Sequence, residues 1–292
     1  MIKKGIILAG GHGTRMSPLT KAVNKQLLPI YDKPLIYYPL SVFMLAGIRD
    51  ILIVVNKGQL NQFKKVLDNG KRFGVNIQYI EQSTPKGLPD AFILGQKFIG
   101  KDNVALILGD NIFYGIENEI SFSVKNFTDG ARIFAYNVPD PERYGVIEFN
   151  EEEIVSIEEK PSHPKSSYVI TGLYFYDNNV IDIAKDIKPS NRNELEISDV
   201  NKVYLEQKRI EATKLQRGIV WLDAGTSTSL LQASQFVQTI QERQQINIGC
   251  LEEICWKNKL ISDENFEKIV ELAPNNSYGK YLKKIFYEKK LS

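Results

Sequence analysis

Short apolar runs punctuate the first third of the chain: Gly5 to Ala9, Ile51 to Val55, Val75 to Ile80 and Val104 to Leu108. Short apolar, β-branched runs of this length predict strands. Between them, Leu35 to Ala46, Gln59 to Leu67 and Leu88 to Phe98 space their apolar residues at three and four, which predicts helices. Strands alternating with helices predict βαβ units. The expected fold is therefore α/β and Rossmann-like, a mostly parallel sheet flanked by helices.

The middle of the chain is richer in strands. Ile133 to Val138, Val146 to Phe149, Ile154 to Glu158 and Val169 to Tyr176 are separated by turn signals such as Pro139-Asp140-Pro141. They predict an extension of the same sheet, mixed by antiparallel strands or joined by a small second sheet. Glu196 to Gln207 predicts a helix with Ile197, Val200, Val203 and Tyr204 on one face, and Ile219 to Leu222 a last strand. A long helix should run from Thr226 to about Ile246, capped by Thr226 or Ser227. Residues 250–292 read as helical pieces rich in Lys and Glu. The pattern divides the chain into an α/β domain over 1–246 and a helical C-terminal extension over 247–292, a candidate subunit contact or regulatory surface.

Composition narrows the chemistry. Thirty-seven basic and 35 acidic residues leave a net charge of +2 over 292 residues, so no nucleic-acid partner is expected. The two cysteines, Cys250 and Cys255, form neither a C-x-x-C motif nor a disulfide framework. Two histidines, His12 and His163, argue against a Cys/His zinc site and against a histidine-activated nucleophile. No apolar run approaches the ~18 residues of a membrane span, and none follows Lys3 and Lys4 as a secretory core would. A cytoplasmic protein with no membrane partner is expected.

The first strand ends in Gly10-Gly11-His12-Gly13-Thr14-Arg15. Ligands of open α/β sheets bind at the carboxyl ends of strands, and glycine N–H groups can cradle phosphate there. Two familiar phosphate loops fail: Met16 stands where a dinucleotide fingerprint needs its third glycine, which also disfavours a nicotinamide oxidoreductase, and no Gly-Lys-Ser/Thr follows for a Walker loop. What does follow is Lys25-Gln26-Leu27-Leu28-Pro29 and Lys33-Pro34. That string resembles the sugar-phosphate nucleotidylyltransferases. The resemblance continues through Gly109-Asp110-Asn111, Pro141-Glu142-Arg143-Tyr144-Gly145, Glu158-Glu159-Lys160-Pro161, Thr171-Gly172-Leu173, Glu194-Leu195-Glu196 and Trp221-Leu222-Asp223. Within the family it is nearest to the enzymes that transfer thymidylyl from dTTP to glucose 1-phosphate. Departures are Ala224 for a usual Thr, His12 for a common Ser, and Gly87-Leu88-Pro89-Asp90 for Gly-Leu-Ala-Gln, the last beside the expected base site.

The resemblance implies attack of a sugar 1-phosphate on the α-phosphorus of a nucleoside triphosphate, with pyrophosphate leaving and Mg²⁺ as cofactor. The nucleophile is already anionic, its second pKa being ~6, so no general base is needed; positioning and cationic clamps carry the catalysis. Arg15, Lys25 and Lys160 are the implied catalytic cations, the first two on the triphosphate and Lys160 on the sugar phosphate; spacing alone places Lys33 at the surface. Gly10, Gly11, Gly13, Thr14, Gln26, Gln82 and Gly87 are implied in nucleotide binding, within a nucleotide-binding part over about 1–130. Gln82 offers donor and acceptor to a thymine or uracil edge. Gly145, Glu159 and Ile170, with Tyr144 and Thr171 as second choices, are implied for the sugar, in a part over about 131–225. Asp110 and Asp223 are implied to ligate the Mg²⁺, a hard cation that takes few carboxylates alongside phosphate oxygens and water. The same resemblance implies a homotetramer, feedback by dTDP-rhamnose, and the first step of dTDP-L-rhamnose synthesis. A uridylyltransferase of the same fold and a non-catalytic nucleotide-sugar sensor are the competing expectations.

Overall fold

The computed structural model describes residues 1–11 and 13–291, and the side chains as far as Lys289 apart from His12. The chain opens with β1 (Lys4–Ala9), a hairpin of β2 (Pro29–Ile30) and β3 (Lys33–Pro34), α1 (Tyr37–Leu45), β4 (Asp50–Asn56), α2 (Leu60–Leu67) and β5 (Asn76–Gln82). Then come α3 (Asp90–Leu94), α4 (Gln96–Ile99), β6 (Val104–Leu108), β7 (Asn111–Tyr114) and α5 (Glu117–Asn126). The middle holds β8 (Ala131–Asn137), β9 (Gly145–Asn150), β10 (Glu153–Glu159), β11 (Tyr168–Tyr176), α6 (Val180–Asp186), α7 (Ile197–Glu206), β12 (Ile210–Lys214) and β13 (Val220–Asp223). Four helices finish it: α8 (Ser227–Gln244), α9 (Leu251–Lys257), α10 (Asp263–Glu271) and α11 (Ser277–Leu291).

Strands β5, β4, β1 and β6 lie side by side in parallel, and β11 joins β6 antiparallel, so the sheet is mixed as expected. Alternate residues feed two cores. Ile7, Ile51, Ile53 and Ile107 pack under Phe43 of α1, Phe63 of α2 and Ile120 of α5. Ile6, Leu52, Val54 and Leu106 pack under Phe92 of α3, Val180 of α6 and Tyr204 of α7. Burial on both faces is why β1, β4 and β6 read as apolar runs. Gly5 is the point of closest approach: a Cβ there would lie 2.5 Å from the Phe43 ring.

The hairpin β2–β3, strand β7 and helices α5 and α6 are additions to the sequence reading, and other elements differ from it. The single helix expected over Leu88 to Phe98 is two, parted at Gly95, where a Cβ would lie 2.9 Å from the Ala91 carbonyl oxygen and 3.1 Å from Ile6. The long helix stops at Gln244, two residues early, with Gln245 in a left-handed cap at φ 57°. Thr226 caps its start in a reciprocal box with Ser229. And β12, Ile-Glu-Ala-Thr-Lys, adds a parallel edge strand beside β8 that the pattern did not signal.

The site follows from how β11 is shared. On one side β11 pairs with β8 along its length; on the other, its first half meets β9 and its second half meets β6. The register slips between Ile170 and Tyr174, where the change of partner occurs. The end of β6 and the start of β9 therefore face each other across a gap, with the β11 bulge as floor. Above it, β13 pairs with β7 so that Asp223 lies opposite Asn111.

Candidate active site

A cleft of about 440 Å³ opens at this gap. Of the expected residues it gathers Gly10, Arg15, Lys25, Gln26, Asp110, Gly145, Glu159, Lys160, Ile170 and Asp223 along its walls. Gly11, Gly13, Thr14, Gln82 and Gly87 lie outside that lining. His12 falls outside the described residues.

The glycine loop leaves β1 with Gly11 and Gly13 at positive φ, 100° and 59°. Its N–H groups are not all open to a ligand. The Gly11 N–H donates to Asn56 Oδ1 at 2.9 Å, and Asn56 Nδ2 returns a bond to the Gly11 carbonyl at 2.8 Å. The Gly11 amide is therefore held by Asn56 at the end of β4. Gln82 extends over Gly10 and donates to the same Asn56 oxygen at 3.2 Å. Asn56, the last residue of β4, is thus a brace of the glycine loop that sequence reasoning missed.

The cations and carboxylates are already engaged with one another. Lys25 ion-pairs with Asp110 Oδ2, and Asn111 Nδ2 donates to Asp110 Oδ1 at 3.0 Å. Burial pushes the Asp110 carboxyl up, but the Lys25 charge and the hydrogen bonds from Lys25 and Asn111 outweigh it and hold it below its ordinary value. Asp223 accepts the Tyr144 hydroxyl on Oδ1 at 2.9 Å and has Arg143 Nη2 3.8 Å from Oδ2. Burial, then the Asp223 charge, raises the Tyr144 phenol above its usual range, so it stays a donor. Arg15 projects beside this carboxylate: a Cβ on Gly225 would lie 2.9 Å from Asp223 Oδ2 and 3.4 Å from Arg15 Nη2.

Asn111 links the two carboxylate strands. Its Oδ1 accepts from Trp221 Nε1 at 2.6 Å and from the Gly172 N–H at 3.0 Å, tying β7 to β13 and to the β11 bulge. Beside the bulge, Gln26 Oε1 and Thr171 Oγ1 are buried with no protein partner, two polar groups on the cleft wall still to be satisfied.

At the other end, Glu159 accepts from Ser198 Oγ and from Arg192 Nη2 at 3.4 Å, with Lys160 Nζ also 3.4 Å away. Lys160 itself sits at φ 44°, a strained conformation for a lysine at the end of a strand. Arg192 is fixed by the buried Glu196 at 2.8 Å, which in turn accepts Ser190 Oγ at 2.6 Å. Neither Arg192 nor Ser198 was singled out by the sequence; a lone Arg and Ser carry no signal until the loop before α7 and α7 itself bring them to Glu159. The loop that holds Arg192 also reaches back: the Leu195 N–H donates to the Lys86 carbonyl at 2.7 Å, and Gly87 bridges Leu195 with φ 108°, too close for any Cβ.

Lys33, expected at the surface, is buried. It ion-pairs with Asp32, donates to Gln241 Oε1 at 3.0 Å and sits 5.7 Å from both the Tyr38 and Tyr278 rings.

The donor set fits a hard divalent cation. Asp110 immediately precedes β7 and Asp223 ends the paired strand β13, with the Ala224 N–H donating to the Asp110 carbonyl at 2.8 Å, and the Cβ missing from Gly225 leaves room at Asp223 Oδ2. Among the described residues no cluster of three His, Cys, Asp or Glu exists.

Comparison with known proteins agrees with this geometry. Residues 4–240 match the nucleotidyl transferase family. The glucose-1-phosphate thymidylyltransferase of Neisseria meningitidis serogroup A is 55% identical over 283 residues, covering 96% of this chain and 98% of that one. The protein of that name from Mycobacterium tuberculosis is 49% identical over 282 residues, covering 96% and 97%. Among solved structures, a Bacillus anthracis glucose-1-phosphate thymidylyltransferase in complex with a sucrose superposes with a TM-score of 0.75 at 40% identity, over 80% of this chain and 94% of that one. A UDP-glucose pyrophosphorylase complexed with UDP-glucose gives 0.72 at 27%, over 82% and 99%.

Proposed function

Because this chain belongs to the nucleotidyl transferase family, as an enzyme among its glucose-1-phosphate thymidylyltransferases, we propose that it joins dTTP to glucose 1-phosphate by direct attack of the sugar phosphate on the α-phosphorus. The observation that carries this reading is the meeting of Arg15, Lys25, Lys160, Asp110 and Asp223 around one cleft. Two anions must approach each other, and fixed positive charge is what lowers the cost of that approach.

Arg15 and Lys25 would face the triphosphate, and Lys160, with Arg192 behind it, the sugar phosphate. Glu159, whose oxygens already accept hydrogen bonds, would accept from sugar hydroxyls beside Gly145 and Ile170. Gln26 and Thr171 hold polar atoms without partners for the same ligands. Gln82 and Gly87 would contact the base, and Gly10, Gly11, Gly13 and Thr14 would shape the phosphate loop with Asn56 as its brace. Asp110 and Asp223 would hold Mg²⁺, which supplies charge neutralisation on the phosphates when bound.

The reading extends to a cytoplasmic homotetramer that feeds dTDP-rhamnose synthesis and responds to that product. Supporting it are exposed Phe122, Leu272 and Tyr287 as candidate contact residues, and the fact that among the described residues no helix is long and apolar enough to cross a membrane.

A pyrophosphate-release assay over dTTP, UTP, ATP and GTP, each with glucose 1-phosphate and Mg²⁺, tests it. Highest catalytic efficiency with dTTP supports the proposal. Preference for UTP replaces it with uridylyl transfer, and absence of turnover with every pair makes the chain a binding protein.

A further inference from the structure

The two carboxylates of the cleft are held in the same pattern. Each gives one oxygen to a neutral donor fixed by packing and presents the other to a side-chain cation. On Asp110 the neutral donor is Asn111 Nδ2 and the cation Lys25. On Asp223 the neutral donor is the Tyr144 hydroxyl at 2.9 Å and the cation Arg143, 3.8 Å from Oδ2. Lys25 already has a part in the proposed chemistry; Arg143 has none.

Arg143 and Tyr144 come from one short turn, Pro141–Arg143 with Tyr144 at its end, whose chain is pinned by Tyr144 N–H to Pro141 O at 3.0 Å and Lys160 N–H to Tyr144 O at 2.9 Å. The Tyr144 ring packs edge-on against Trp221, centroids 5.2 Å apart and planes at 63°, and Trp221 precedes Asp223 by two residues on β13. The hydroxyl therefore cannot drift from the carboxylate without disturbing the strand that carries it. Arg143 is held more loosely. It is bonded to Asp140 at 2.6 Å and is half-exposed, close enough to Asp223 Oδ2 to compete for it and free enough to leave.

We propose that Arg143 and Tyr144 set the divalent-cation affinity of Asp223 in opposite senses, the Tyr144 hydroxyl orienting the carboxylate for ligation and the Arg143 guanidinium competing with the cation for the outer oxygen. The inference rests on the reading of Asp110 and Asp223 as the cation site. Tyr144 is then a positioning residue. Hydrogen bonds to a ligating carboxylate typically govern metal affinity by 10–100-fold, whereas an exposed charge at this distance acts weakly and is screened by salt.

Mn²⁺ binding to the protein alone, followed by the electron paramagnetic resonance signal of the free ion, separates these roles. Tyr144→Phe should weaken Mn²⁺ binding by about tenfold or more. Arg143→Gln should tighten it by about two- to fivefold, with the gain shrinking at high salt. Asp223→Asn should abolish the site in every background. Unchanged affinity in Tyr144→Phe, or weaker binding in Arg143→Gln, overturns the inference while leaving the cation site intact. A wild-type protein with no saturable Mn²⁺ site, or one that Asp223→Asn leaves unaltered, overturns the cation site and the inference with it. Should Tyr144→Phe fail to fold, the Arg143→Gln arm decides alone, since that side chain lies at the surface of the turn.

Discussion

Lys25 serves two neighbours at once, the Asp110 carboxylate now beside it and, on the proposed reading, the triphosphate. Lys25→Ala and Arg15→Ala should each lower kcat/KM by about 10²-fold or more, the scale of losing one preorganised transition-state donor, and steady-state kinetics on folded variants checks this. Asp110 carries a second test through stability. Its folded carboxyl lies below the ordinary 3.8, so ionised Asp110 stabilises the fold above that value and the contribution is lost as pH falls through the lowered folded value. The stability difference between wild type and Asp110→Asn, from urea titrations, should stay constant from neutral pH down to about 3.8 and change as pH falls from there through the lowered folded value. A change centred near neutral pH would mean another group is responsible.

At the scale of elements, the β11 bulge positions everything else in the cleft. Gly172→Ala would place a Cβ 2.5 Å from Asn111 Oδ1, so the amide must move and Asp110 lose its neutral donor. The expected outcome is a destabilisation of about 1–3 kcal/mol by chemical denaturation, with catalytic efficiency falling further than stability does. The sequence reading ran Val169 to Tyr176 as one strand, although Thr171-Gly172 in its middle marks where the register slips, a Gly inside a strand being the local signal of a bulge. The central parallel strands β1, β4 and β6 were legible because burial on both faces selects apolar residues along them. Strand β12 was not, since an edge strand tolerates Glu211 and Lys214 where a central one would not. The motif residues Arg15, Lys25, Asp110, Glu159, Lys160 and Asp223 were legible from resemblance and do share one cleft. Asn56, Arg192 and Ser198 required the fold, and Lys33 looked superficial because no pattern announces a lysine paired beneath helices from the far end of the chain.

Over the whole molecule, the C-terminal helices are continuous with the α/β core. Leu251 and Cys255 of α9 share the core with Phe43 of α1, and Trp256 stacks on Phe266 at 4.1 Å with planes 5° apart. Wild-type urea unfolding should therefore be one transition, with far-UV circular dichroism and tryptophan fluorescence coincident. Trp256→Ala should cost about 3–5 kcal/mol and carry the whole protein with it, the remaining Trp221 reporting. An early helical transition with Trp221 unmoved would show that α9–α11 unfold by themselves. The loop from Ser190 to Glu196 has a different reach, for it bridges Gly87 on one side and, through Arg192, touches Glu159 on the other. On the proposed assignment these are the base and sugar ends of the cleft, so an inheritable change at either end is not a private matter. Variants selected in the laboratory for a new nucleotide, by substitution at Lys86 to Leu88, should arrive with altered sugar tolerance that nobody selected, visible as a shifted ranking of sugar 1-phosphates. Substrate ranges on the two sides would then drift together through a lineage, and second-site changes restoring one would be found in Ser190 to Glu196 more often than chance allows.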